Sequence, residues 1–213
     1  KAGFGTGTGV GYPGESDGIL TDFDRWSDVH RATLAYGYGL SVTPLQLARA
    51  YAAIANGGLL PPVTLSADAP VEHTKTRVMS KETARRVRSM LETVVGAGGT
   101  GQRAAVPGYR VAGKTGTVRK PAPGGYAEDR YMAVFAGFAP ASSPRLVVVV
   151  TVDEPAGTEY YGGQVAAPVF AEVVGGALRL LGISPDDRSI RLRRVTLAAG
   201  EEWHARSPVR AVQ

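Results

Sequence analysis

The chain has 213 residues, of which 44% are hydrophobic and 20% are charged, a balance typical of one globular domain with a hydrophobic core. It contains no cysteine, which excludes a disulfide framework, a cysteine nucleophile and a thiolate metal site. The formal net charge is +5, but the basic residues are not interleaved with aromatic ones, so we predict no nucleic-acid partner. No apolar run approaches the ~20 residues that span a bilayer.

The first segment, residues 3–14, is rich in glycine and is predicted to form a loop. Its glycines lack the G-x-G-x-x-G spacing of a dinucleotide-binding turn. Pro13 and Gly14 favour a turn over the start of a helix. Because the chain begins at Lys1 inside this loop, we expect the N-terminal part of the domain to lie elsewhere.

Three helices are predicted before residue 100. A short one is expected within residues 25–36. For the second, Thr43 is a suitable N-cap and Pro44 a suitable first residue, and Asn56-Gly57-Gly58 should end it. Ser80 is the predicted N-cap of the third, which should end near residue 95.

A fourth helix is predicted over residues 165–181, with Gly182 following it in the left-handed conformation. Apolar residues at helical spacing predict its buried face: Ala166, Val169, Phe170, Val173, Val174, Ala177, Leu178 and Leu181.

Extended segments occupy the second half of the chain. Residues 121–129 are predicted to form a polar loop. Residues 131–139 and 145–153 are predicted to form two strands of a hairpin, the second apolar and β-branched enough to be covered on both faces. Residues 190–197 alternate imperfectly and predict an edge strand.

The segment that points most clearly to a functional site is Gly113-Lys114-Thr115-Gly116-Thr117. On an extended strand, Lys114 and Gly116 would lie on one face, and both threonines on the other unless the strand bulges. One ammonium, two hydroxyls and an approachable strand edge suit a substrate carboxylate and an acyl carbonyl. A solvated lysine on an ordinary edge strand is the alternative for a bare Lys-Thr-Gly.

Two stretches resemble a known family. Val111-Ala112-Gly113-Lys114-Thr115-Gly116-Thr117 resembles the third motif of the penicillin-recognising serine enzymes. Residues 36–58, with Ser41-Val42-Thr43-Pro44-Leu45-Gln46 and Asn56-Gly57-Gly58, are similar to class B penicillin-binding proteins, the septal type above all. On this resemblance, residues 1–182 are predicted to be the C-terminal part of a transpeptidase domain and residues 183–213 a flexible tail.

The resemblance implies an α/β (α+β) fold of the penicillin-binding protein/β-lactamase type, with an antiparallel sheet and helices on both faces. It implies a serine D,D-transpeptidase that cross-links peptidoglycan stem peptides ending in D-Ala-D-Ala during septal synthesis, and that β-lactams acylate. The implied partners are the rest of the domain and divisome membrane proteins. The implied location is the periplasm, on an inner-membrane anchor outside this chain. No cofactor and no metal are expected.

The resemblance also assigns roles to residues. Lys114 would orient the serine of an S-x-N motif, Thr115 and Thr117 would hold the carboxylate, and the Thr117 backbone N–H would stabilise an oxyanion. The implied binding residues around them are Gly116, Arg119, Tyr126, Tyr160, Tyr161 and Tyr38. Local packing is the alternative explanation for the tyrosines.

The sequence departs from the family at the nucleophile. No serine is followed by lysine three residues later or by asparagine two residues later, so S-x-x-K and S-x-N are expected outside this chain, which alone should not catalyse. His30, His73 and His204 lack a G-x-S-x-G context for a Ser-His-Asp triad. Two other interpretations remain: a non-catalytic β-lactam or peptidoglycan sensor of the same fold, and an unrelated soluble binding domain.

Overall fold

The computed structural model describes residues 2–66, 68, 76–187 and 189. Its helices are α1 (Asp28–Leu34), α2 (Pro44–Ala55), α3 (Lys81–Val95) and α4 (Gly162–Leu180), with 3-10 turns at Phe23–Arg25 and Gln102–Ala104. Its strands are β1 (Ile19–Leu20), β2 (Leu40–Ser41), β3 (Leu59–Leu60), β4 (Thr76–Arg77), β5 (Ala112–Ala122), β6 (Gly125–Ala139) and β7 (Leu146–Asp153). None of the helices in these residues is long and apolar enough to cross a bilayer.

A three-stranded antiparallel sheet, in the order β5-β6-β7, forms the centre of the fold. Strands β5 and β6 pair in continuous register from Ala112 opposite Phe138 to Arg119 opposite Tyr131. Helix α4 packs against all three strands, while α2 contacts β6 and β7 and α3 contacts β5. The short pairs β1–β2 and β3–β4 lie outside this sheet. The predicted α/β fold is confirmed.

Alternation along β6 builds two hydrophobic clusters, one on each face of the sheet. Phe135 packs on Phe170 of α4, with the ring centroids 4.7 Å apart. Phe138, three residues later and therefore on the other face, packs with Tyr51 and Ile54 of α2. All three phenylalanines are fully buried. Burying each stabilises the fold by about 1.5–3 kcal/mol, so these clusters fix α2 and α4 to the sheet.

The amino end of α2 anchors the glycine-rich segment. The Thr43 hydroxyl accepts from the Gln46 N–H, and the Gln46 side-chain oxygen accepts from the Thr43 N–H, which together make a capping box. The buried Gln46 amide also donates to the carbonyl oxygens of Thr6 (2.9 Å) and Asp17 (2.8 Å). Residues 3–14 form a loop, as predicted, and Gln46 holds the chain at Thr6 within it and at Asp17 just after it.

The predicted loop over residues 121–129 is wrong. Strand β5 continues to Ala122 and β6 begins at Gly125, so only two residues connect them. Pro123 and Gly124 make the turn. Gly124 has φ +86°, a positive value that suits the residue after proline in a tight turn and that glycine adopts at little cost. Proline and glycine here mark a tight turn rather than a long connection.

Helix α4 differs from its prediction at both its start and its buried face. It begins at Gly162, three residues earlier than expected. Within the predicted face, Val169, Val173 and Leu181 are 43%, 50% and 60% exposed. The sheet covers only the narrower stripe made by Ala166, Phe170, Val174 and Leu178.

The other helix predictions are confirmed, including the N-cap Ser80 of α3. Helix α1 lies within residues 25–36 as expected, and the structure adds Ser27 as its N-cap. Beyond α4, the Tyr109 hydroxyl donates to the carbonyl oxygen of Ile183 at 2.6 Å. The Asp186 carboxylate accepts from the N–H groups of Arg110 (2.7 Å) and Ser142 (3.0 Å). The domain boundary at residue 182 stays a prediction. The expected strand over residues 190–197, most of the predicted tail, His73 and His204 lie outside the described residues.

Candidate active site

The Lys-Thr-Gly-Thr segment lies on β5, which is an edge strand of the sheet in the described residues. Thr115 stands opposite Phe135 in the register, so its side chain is on the α4 face together with that of Thr117. The Lys114 side chain is exposed, and its ammonium donates to the Thr115 carbonyl oxygen at 3.0 Å. A charged donor therefore lies beside the open edge, and two hydroxyls lie on one face.

The first turn of α4 fixes the Thr117 hydroxyl, and Thr100 fixes that of Thr115. The Gly162 N–H donates to the Thr117 hydroxyl oxygen at 3.0 Å, and the Thr115 and Thr100 hydroxyl oxygens are 3.0 Å apart. A Cβ on Gly162 would overlap the Gly116 and Val134 carbonyl oxygens. Glycine is needed here because the helix start approaches the strand backbone directly.

A cavity of about 420 Å³ opens between this strand and the start of α4. Thr100, Arg103, Thr115, Thr117 and Tyr161 are among the residues that line it. The Arg103 guanidinium donates to the carbonyl oxygen of Gln164 at 3.3 Å, which ties it to the first turn of α4. Hydroxyls, a guanidinium and the positive end of a helix dipole together favour an anion such as a carboxylate.

The predicted aromatic residues separate into two groups. Tyr160 stacks between Tyr131, with centroids 4.2 Å apart, and Tyr161, at 4.5 Å. The hydrogen bond that Tyr160 donates to Tyr161 raises the pKa of Tyr160 to about 12. Its phenol therefore stays neutral at physiological pH. Tyr161 lines the cavity, so this stack is the group that reaches the site.

Tyr126 does not join that stack. Its ring meets Tyr38 edge-on with centroids 5.6 Å apart, and Tyr38 in turn contacts Tyr36. The Arg119 guanidinium lies 6.0 Å from the ring centroid of Tyr131, its partner across the β5–β6 register. The predicted site residues thus fall on the strand, in the tyrosine stack and in a separate Tyr38–Tyr126 pair.

Thr100, Arg103 and Tyr131 belong to the candidate site, although no motif in the sequence predicts them. Thr100 reaches Thr115 from fifteen residues away, through a turn whose sequence contains no catalytic motif. Within the described residues there is no cluster of three histidine or carboxylate side chains able to hold a metal. His30 lies outside the cavity lining, with its Nε2 3.3 Å from the Gly39 carbonyl oxygen.

Residues 1–175 match the family model described as the penicillin binding protein transpeptidase domain. The chain belongs to this family. Among the solved structures of the family, it is similar to the apo transpeptidase domain of Burkholderia pseudomallei penicillin-binding protein 3, with 49% identity and a TM-score of 0.81. That likeness covers 87% of this chain and 56% of the solved one.

Relatives in the family carry transpeptidase and sporulation names. The chain is 46% identical to the probable peptidoglycan D,D-transpeptidase PenA of Neisseria meningitidis over 185 residues, and 46% identical to the peptidoglycan D,D-transpeptidase FtsI of Escherichia coli over 187. It is 44% identical to the stage V sporulation protein D of Bacillus subtilis over 201 residues. These matches cover 87–88% of this chain and 31–32% of each relative, so the chain spans about a third of their length.

Proposed function

We propose that this chain is the Lys-Thr-Gly-Thr half of a peptidoglycan D,D-transpeptidase that cross-links stem peptides in septal wall synthesis and is acylated by β-lactams. The observation that carries the proposal is the edge strand β5, where Lys114 and two fixed threonine hydroxyls border an open cavity. The family and the names of the relatives support the same activity.

In this function, Thr115 and Thr117 receive the carboxylate of the D-Ala-D-Ala terminus or of a β-lactam. Their hydroxyls are held by Thr100 and by the Gly162 N–H before any ligand arrives. Such preorganisation lowers the cost of ordering these groups on binding. The nearby Arg103 and the α4 dipole add positive potential, and Lys114 supplies a second, exposed cation.

The Thr117 N–H is the proposed oxyanion donor of this half. The Thr115 carbonyl oxygen accepts a hydrogen bond from the Lys114 ammonium, so this carbonyl faces the open side of β5 and not β6. Alternate residues of an antiparallel strand present their peptide groups to the same side, so the Thr117 N–H faces the open side as well. A fixed donor of this kind is worth about 10²–10³ in rate.

Further roles follow from the placement of the other residues. Gly116 is on the Lys114 face, and because it has no side chain it leaves the strand beside Lys114 open to the ligand. Tyr160 and Tyr161 flank the acyl side chain, with Arg119 and Tyr131 behind them. Tyr38 and Tyr126 form an outer wall. Residues outside this chain supply the nucleophile, its lysine and the S-x-N motif. They also supply an inner-membrane anchor and the contacts to divisome proteins.

Fluorescent-penicillin labelling tests the proposal, with the mass of every labelled polypeptide measured. Label should appear on the polypeptide that carries S-x-x-K, and Lys114→Ala or Thr117→Val should slow acylation at least ~10-fold. The matched control is Arg179→Ala, an exposed cation 17 residues along α4 from Gly162, about 25 Å away at 1.5 Å per residue. Turnover of a stem-peptide or thioester substrate then separates a transpeptidase from a non-catalytic sensor. Label bound to these 213 residues would contradict the division of roles.

A further inference from the structure

A second cavity, of about 490 Å³, lies between the carboxyl end of α2 and the first two turns of α3. Ile54 and Gly57 line it from α2 and the loop after it, and Lys81, Glu82, Arg85 and Arg88 line it from α3. We call it the basic groove. The three cations are spaced by four and three residues, so they follow one face of the helix.

The charge of the basic groove is not balanced within the part of the chain that the structure describes. No ion pair involves Lys81, Arg85 or Arg88 there. Glu82 is the one acidic lining residue, and it is paired with Arg86. Like charges on neighbouring turns repel one another, so this arrangement costs folding free energy rather than supplying it.

The negative end of the α2 dipole offers only partial compensation. The Gly57 carbonyl, just beyond α2, is already bonded to the Arg77 guanidinium at 3.0 Å. Long basic side chains can also serve packing, by covering apolar surface with their methylene stems. Ile54 is the apolar lining residue that such a stem could cover. Covering Ile54 accounts for the position of one basic side chain, but not for all three cations lining the same groove.

We propose that the basic groove docks an acidic, partly apolar peptide segment of another protein. Carboxylates are the groups that Lys81, Arg85 and Arg88 recognise, since none of the three is ion-paired within the described residues. Ile54 provides contact for one apolar side chain. Lys81 and Arg88 lie seven residues, or about 10.5 Å, apart along α3, which matches acidic side chains two turns apart on a partner helix. A concave recess suits such a segment, whereas a lipid surface would need the cations on a flat or convex face.

The test is the binding of a synthetic helical peptide by the full chain, together with any polypeptide that completes the domain. The probe carries glutamates at positions i, i+4 and i+7 and leucines between them; the matched probe has glutamine at the same positions. Fluorescence anisotropy should show binding of the glutamate peptide alone, weakening as salt rises. The double variant Arg85→Glu, Arg88→Glu should weaken it at least ~10-fold, and Arg145→Glu, an exposed arginine outside the groove, less than ~2-fold.

Three results would overturn the proposal. They are equal binding of the glutamine peptide, an equal loss with Arg145→Glu, and binding to phosphatidylglycerol vesicles without binding to the peptide. Melting curves establish that each variant is folded. If the charge reversals unfold the chain, the double variant Arg85→Gln, Arg88→Gln replaces them. Its affinity for the glutamate peptide should be at least ~3-fold lower than that of the parent. Penicillin labelling is a separate measurement, so failure of the proposed enzyme activity would leave this test intact.

Discussion

The backbone N–H of Gly162 donates to the hydroxyl of Thr117 at 3.0 Å, and this contact joins the start of α4 to the edge strand β5. The same hydroxyl therefore stabilises the fold and belongs to the proposed carboxylate site. Thr117→Val keeps the shape but removes the acceptor, so we expect a stability loss of about 1–2 kcal/mol and a melting point lower by about 2–8 °C. Thr117→Ser should retain both melting point and acylation. A valine variant as stable as the parent would show that the bond contributes nothing.

Glycines in α4 should respond oppositely to alanine. A Cβ at Gly162 would overlap backbone oxygens of β5 and β6, so Gly162→Ala should destabilise the fold by at least about 1–3 kcal/mol. At Gly176 the same Cβ would meet nothing within 4 Å, so Gly176→Ala should stabilise by about 0.5–1 kcal/mol through better helix propensity. Urea unfolding measures both. Equal effects would mean that α4 does not approach β5 this closely.

Asp186 should matter to the fold although it follows the predicted domain boundary. Its carboxylate accepts from the Arg110 and Ser142 N–H groups at exposed positions, so Asp186→Ala removes two hydrogen bonds of about 0.5–1.5 kcal/mol each and should cost about 1–3 kcal/mol. Within the described residues, the neighbouring Asp187 carboxylate accepts only from Ser189, so Asp187→Ala is the matched control and should change stability little. If urea unfolding shows the same loss for both, the contacts of Asp186 are not what holds this segment.

The glycine-rich segment should loosen in acid. The Thr8 hydroxyl and then the Thr8 N–H donate to the Glu15 carboxylate and lower its pKa. A carboxylate whose pKa is lower in the folded than in the unfolded state stabilises above the unfolded value, about 4.3, and loses that effect as pH falls through the folded value. Protection factors for hydrogen exchange, which correct for the intrinsic pH dependence of the rate, should therefore fall in residues 5–18 below pH ~4.3.

The control for that experiment is Glu15→Gln, which cannot titrate. Its exchange should be raised at neutral pH already and should lack the acid-dependent step. Persistence of the same step in the glutamine variant would assign it to another carboxylate.

Local signals in the sequence were sufficient for α1, α2 and α3 and for residues 131–139 of the central strand, but not for the start of α4. Thr43, Pro44 and Ser80 each mark a helix start through a bond made within one turn, which is why these ends were predictable. The turn at residues 123–124 was not, because proline and glycine fit a loop and a hairpin equally well. Only the pairing of Pro121 with Tyr126 decides between them.

The candidate site divides in the same way. Lys114, Thr115 and Thr117 are adjacent in the chain, so their motif is visible in the sequence. Thr100 and Tyr131 enter through tertiary contacts to Thr115 and Tyr160, and no periodicity or spacing encodes those. The exposed side of α4 was mispredicted for a related reason, since hydrophobicity alone does not say how wide a stripe the sheet covers.

Strand β7 is the other edge of the sheet in the described residues, and residues 146–150 within it are all leucine or valine. An edge of this composition, without a charged or proline residue to interrupt it, is a template for strand addition between molecules. Handled by itself at high concentration, the chain should therefore self-associate reversibly at first and then precipitate. Solubility, rather than folding, should set the conditions under which it can be studied, and a lysine placed in β7 is the change most suited to improve it.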